Sequence, residues 1–112
     1  PLAVDDGWGL PGGPWMQWHY DRFEPPADAT VIARDHVGVQ AFTVRRHLGV
    51  QFHPEVTYDH VRGWVESGGR DELVRVGVDP DRLLADTAAN ADDAAARTAR
   101  LVDWFVDDIA KL

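Results

Sequence analysis

The sequence predicts an α/β protein in which short strands, two of them a hairpin, come first and helices follow. Three observations predict it. Residues 30–53 hold three β-branched or alternating runs separated by turn residues. After Pro54 the apolar spacing changes to three and four, the period of a helix. Asp79-Pro80 then opens a long helical stripe, a capping acid followed by proline at the first helical position. The chain reads as one domain or part of one over residues 1–112, with a strand-rich part at 1–56 and a helical tail at 57–112.

The elements follow in order. Residues 1–14 are rich in Gly and Pro and read as a loop leading into structure. Residues 15–20 are aromatic-rich and read as a buried strand. Pro25 and Pro26 punctuate the chain, because neither can donate to a strand ladder. TVIAR at 30–34 and VQAFTV at 39–44 are short strands, the second with Val39, Ala41 and Thr43 on one face and Gln40, Phe42 and Val44 on the other. Arg45, Arg46 and His47 make a turn into a third strand at 48–53, so that 37–53 is an antiparallel hairpin.

Val61, Trp64 and Val65 mark a helix with Thr57 as its N-cap and Gly68-Gly69 as its stop. A short helix covers 71–76. From 84 onward Leu84, Ala88, Ala91, Ala95, Thr98, Val102, Phe105, Ile109 and Leu112 form one predicted buried face, interrupted near Asn90.

Composition removes several function classes. Of 112 residues, 45% are hydrophobic and 27% charged, with a formal net charge of −8. No basic stripe exists to neutralise phosphates, which argues against nucleic-acid binding. No apolar run reaches the length of a membrane span and no signal peptide opens the chain, so a cytoplasmic location without membrane attachment is expected. There is no cysteine, which excludes disulfides, thiolate metal sites and a cysteine nucleophile within this chain. No HxH or HExxH pattern occurs, so neither a metal nor another cofactor is expected. His36, His47 and His60 read as surface residues, and His19 as a loop-holding one.

The chemistry concentrates in Gly49-Val50-Gln51-Phe52-His53-Pro54-Glu55. A strand delivers His53 to its C-terminal end, where α/β sheets place their sites, and Glu55 follows two residues later. A carboxylate bonded to one ring nitrogen fixes the tautomer and leaves the other nitrogen as a base. On spacing alone, such a pair is more often structural than catalytic.

GVQFHPE is similar to the motif that closes class I glutamine amidotransferase domains, including the one in GMP synthase. Trp15-Met16-Gln17-Trp18-His19-Tyr20-Asp21, with Phe23 and Pro25-Pro26, resembles the strand and loop upstream of that motif, and Gln40-Ala41-Phe42 the strand paired before it. The resemblance runs from Pro1 to about Trp64, with the helical tail resembling a variable extension, and the nearest subgroup is the GMP-synthase-like amidotransferases. It implies the C-terminal half of a flavodoxin-like domain, with His53 and Glu55 as the base and orienter of a Cys-His-Glu triad that releases ammonia and glutamate from glutamine. It also implies substrate contacts from Trp18, Tyr20 and Asp21. Trp18 and Tyr20 read equally as core aromatics, and Asp21 equally as a turn former.

The family's nucleophile sits on a strand-to-helix elbow in the first half of the domain, beside its oxyanion hole. Neither elbow nor cysteine is present here, so this chain by itself is expected to be inactive and to partner the missing N-terminal half, a synthase or a second copy. Two other functions fit the same residues. One is a γ-glutamyl hydrolase of the same superfamily, whose motif usually carries Trp at the position of Phe52. The other is a non-catalytic binding or regulatory homologue.

Overall fold

Among the described residues, four strands form an antiparallel sheet in the order β1-β2-β3-β4, with β1 at Ala3–Val4, β2 at Thr30–Arg34, β3 at Val39–Val44 and β4 at His47–Val50. This is a computed structural model, and it describes residues 2–18 and 21–111. The expected strands at 30–34 and 39–44 and the hairpin between β3 and β4 are all present. His47 belongs to β4, because it pairs with Val44 across a turn made by Arg45 and Arg46 alone. Strand β4 ends at Val50, three residues earlier than expected.

Two further expectations are corrected. The opening loop contains β1, whose Ala3 and Val4 pair with Arg34 and Ala33. Residues 15–18 form no strand: Met16 makes one isolated antiparallel bridge with His53. Pro14, directly before them, has no amide to add to the ladder, and the glycines around it weaken a strand by bringing no side chain to pack.

The chain divides into two compact units, residues 1–54 with 96–112, and residues 55–95. In the first, Leu10, Ile32, Ala33, Ala41, Phe52, Leu101, Trp104 and Ile109 form the buried core. Strict alternation would not bury both Ile32 and Ala33, yet both are at 0% exposure. A register shift between Val31 and Ala33 explains it, because a bulge turns adjacent residues to one side.

On β3, Ala41 and Thr43, which share a face, are buried. The opposite face is covered by the loop that follows Trp15. Gln17 bonds Gln40, and the Phe23 ring meets Phe42 edge-on at 5.2 Å.

Gly49 lies directly opposite Phe42 in the register. A Cβ at Gly49 would overlap the Phe42 ring, so the ring uses the space that glycine leaves. Gly49→Ala is expected to destabilise the chain by about 1–3 kcal/mol through overpacking. Urea unfolding should give a lower midpoint with an unchanged slope.

The second unit holds α1 (Tyr58–Trp64), α2 (Arg70–Arg75), α3 (Pro80–Ala89) and the start of α4 (Ala91–Trp104). Thr57 caps α1 as expected: its Oγ1 accepts from the His60 amide, and His60 Nδ1 accepts from the Thr57 amide. The helical path runs on from α1 into a turn at Val65–Gly69, and the stop falls inside it at Gly68, whose φ of 105° only glycine adopts without strain. Asp79 caps α3 through the amides of Asp81 and Arg82, with Pro80 at the first position. Asn90 separates α3 from α4, as the sequence indicated.

The predicted buried face holds only in part. Ile109 is buried and Thr98 and Phe105 are half-buried, but Ala88 at the end of α3, Ala91 and Ala95 are exposed and Val102 is 52% exposed, while Arg97, Leu101 and Trp104 are buried; Leu112 lies outside the described residues. Arg97, Leu101 and Trp104 are spaced by four and three and set the true stripe. Alanines satisfy almost any stripe, so the alanine-rich middle carried no information about which face turns inward.

Candidate active site

The sequence marks His53, Glu55, Trp18, Tyr20 and Asp21 as site residues. Tyr20 lies outside the described residues, as does His19. The structure brings Trp18 and Asp21 to the segment that carries His53, through their backbone carbonyls.

His53 follows the bend at Gln51-Phe52 that ends the sheet. Its amide donates to the Met16 carbonyl at 2.8 Å, and its ring Nε2 lies 3.0 Å from the Trp18 carbonyl. A carbonyl only accepts, so Nε2 carries a proton, and in the neutral ring Nδ1 holds the lone pair. The chain therefore defines which nitrogen can take a proton. Glu55 is exposed and opens the second unit.

Gln51 ties the same loop further along. Its Nε2 donates to the Asp21 carbonyl at 3.4 Å, and its Oε1 accepts from the Phe23 amide at 2.9 Å. Its own amide donates to the Gln40 carbonyl at 2.8 Å. Gln40, 1% exposed, is bonded at both ends of its amide: Oε1 accepts from Gln17 Nε2 at 2.8 Å, and Nε2 donates to Asp35 Oδ1 at 3.2 Å. A buried glutamine with one end unmet would carry a desolvation cost, so this side chain holds the loop only while both partners stay in place.

Asp35 anchors the far end of that chain of bonds. Burial opposes its ionisation, but the amides of Val37 and Gly38, the Gln40 side chain and the neighbouring His36 together outweigh it and hold the carboxyl below its ordinary value of 3.8. A depressed folded-state value contributes stability above the unfolded value, and that stability is lost as pH falls through the folded value. Acidification below pH 3.8 is therefore expected to weaken the folded state through Asp35. An Asp35→Asn variant should show a flatter fall of urea midpoint between about pH 5 and pH 2.

Aromatic packing supports the His53 segment from the other side. Trp15 stacks on Phe52 with centroids 4.7 Å apart and an interplanar angle of 14°, and Trp15 Nε1 donates to the Pro11 carbonyl. The sequence reading missed Gln17, Gln40, Gln51 and Asp35 as supports of the site. The one available signal was polar: glutamines within otherwise apolar strand runs. His36, His47 and His60 are exposed, as expected. Among the described residues no group of three His, Cys, Asp or Glu side chains could hold a metal ion, and no helix is long and apolar enough to cross a membrane.

No family model matches the chain, and no curated protein matches it. A solved structure does. The crystal structure of a glutamine amidotransferase from Thermotoga maritima is similar to this chain with a TM-score of 0.77 and 26% sequence identity. The fold is one that a glutamine amidotransferase uses. The similarity covers 96% of this chain and 49% of the Thermotoga protein, so the chain spans about half that neighbour's length. Coverage of that extent takes in the helical tail as well as residues 1–64.

Proposed function

We propose that this chain is the acid–base part of a class I, GMP-synthase-like glutamine amidotransferase domain, acting on glutamine with a cysteine supplied by a polypeptide outside this sequence. In this reading the antiparallel sheet belongs to the C-terminal part of a larger flavodoxin-like domain. The observation that carries the reading is the His53 ring, held by Nε2 on the Trp18 carbonyl, in a fold similar to that of a glutamine amidotransferase.

The chemistry follows from the protonation of that ring. With Nε2 protonated, Nδ1 accepts the proton of the cysteine thiol. The thiolate sulfur bonds the side-chain carboxamide carbon of glutamine, and the carbon–nitrogen bond breaks as the imidazolium returns its proton to the leaving nitrogen. Ammonia departs and a thioester stays. Water, deprotonated by the same nitrogen, attacks the thioester and releases glutamate and the thiol. Glu55 steadies the imidazolium formed in each half-reaction. Trp18, Tyr20 and Asp21 are the proposed substrate contacts, the Asp21 carboxylate serving the α-ammonium group of glutamine.

The test combines this chain with a first half bearing a Gly-x-Cys-x-Gly elbow, either mixed or as one polypeptide, and follows glutamate and ammonia. Release is expected from the combination and none from the 112-residue chain alone. Association without turnover would overturn the catalytic reading in favour of a binding homologue. Preferential cleavage of γ-glutamyl peptides would overturn the substrate in favour of a γ-glutamyl hydrolase.

A further inference from the structure

We infer that Arg97 and Thr98, neighbours on α4, are positioning residues that hold His53 in register with the loop it bonds. The inference rests on the role proposed for His53, but its geometry stands apart from any reaction. His53 meets the loop through two bonds, its amide to the Met16 carbonyl and its ring to the Trp18 carbonyl. These two segments come from residues far apart in sequence, and each is fastened to the same turn of α4. Arg97 Nη1 donates to the Pro14 carbonyl at 2.7 Å, two residues before Met16. Thr98 Oγ1 donates to the Pro54 carbonyl at 2.7 Å, immediately after His53.

Arg97 does more than donate one bond. It is 7% exposed, and its guanidinium lies 5.5 Å from the Trp15 ring centroid. Trp15 in turn stacks on Phe52, the residue before His53. A buried cation needs compensation, and here an aromatic face and a carbonyl supply it. The stack of guanidinium, indole and phenyl fixes the spacing between the loop and the His53 segment. Both carbonyls, of Pro14 and Pro54, belong to prolines, which bring no amide of their own to a ladder. Side-chain donors from α4 therefore complete what the backbone pairing at Met16 and His53 cannot extend.

The experiment follows the Nε2 proton of His53 by NMR in the 112-residue chain labelled with nitrogen-15 histidine. No turnover is needed, so failure here is distinct from failure of the proposed function, which the two-part activity assay decides. Thr98→Val, close in shape but without the hydroxyl, is expected to raise solvent exchange of that proton roughly tenfold, the factor equivalent to losing one hydrogen bond. Thr98→Ser is expected to restore it. Arg97→Lys keeps the charge and tests the planar stack independently, with a similar rise expected. Amides of β2 and β3 serve as the reference, since a general loss of stability would speed them equally. Unchanged His53 exchange in both Thr98→Val and Arg97→Lys would overturn the inference, as would acceleration matched in the sheet amides.

Discussion

On the proposed reading, with this chain completed by a cysteine-bearing first half, His53→Ala is expected to lower kcat for glutamine hydrolysis by on the order of 10,000-fold, with a much smaller change in KM. Removing the base of a nucleophile–base–orienter set forfeits both proton transfers, whereas oxyanion stabilisation and substrate binding survive. Circular dichroism should report an intact fold, because the His53 side chain is half-buried and outside the core cluster. Glu55→Gln is expected to lose less than His53→Ala, because an orienter assists a base that can still act. Equal activity of wild type and His53→Ala would end the catalytic assignment outright. Glutamate release with a coupled dehydrogenase provides the measurement.

The second large effect concerns stability. Trp104→Ala is expected to cost about 3–5 kcal/mol, in the range for removing a large aromatic from a core. Trp104 is 9% exposed, meets Trp8 edge-on at 6.5 Å and packs so closely on Gly9 that a Cβ there would overlap its indole. For a chain of this size the loss corresponds to a fall in Tm of roughly 12–30 °C. Val102→Ala, two residues away and 52% exposed, is expected to change stability by no more than about 0.5 kcal/mol. The pair of variants separates the observed buried face of α4 from the one its sequence spacing indicated.

That contrast shows what kind of information the sequence carried. Strands 30–34 and 39–44 were legible to the residue, because β-branched runs bounded by Asp, Gly and Arg have few other readings. The caps at Thr57 and Asp79 were legible for the same local reason. The inward face of α4 was not. Its alanines suit several faces, and the choice is made by distant partners such as Pro14 and Pro54. Residues 15–18 looked like a strand because buried aromatics occur in strands and in packed loops alike.

At the site, His53 was visible through a short motif, but its ring partner was not. The Trp18 carbonyl is a backbone group 35 positions away, which no side-chain pattern announces. Gln17, Gln40 and Gln51 share that fate, since each amide gains meaning only from a partner brought near by folding.

The division of the first unit into residues 1–54 and 96–112 has a consequence for how the chain acquires its structure. Ile32, Ala33, Ala41 and Phe52 emerge from the ribosome well before Leu101, Trp104 and Ile109, which share their core. The intervening residues must be made, and the loop they form must close, before that core can be sealed. Through that interval the sheet carries an uncovered apolar surface, a time when chaperones or self-association compete with folding.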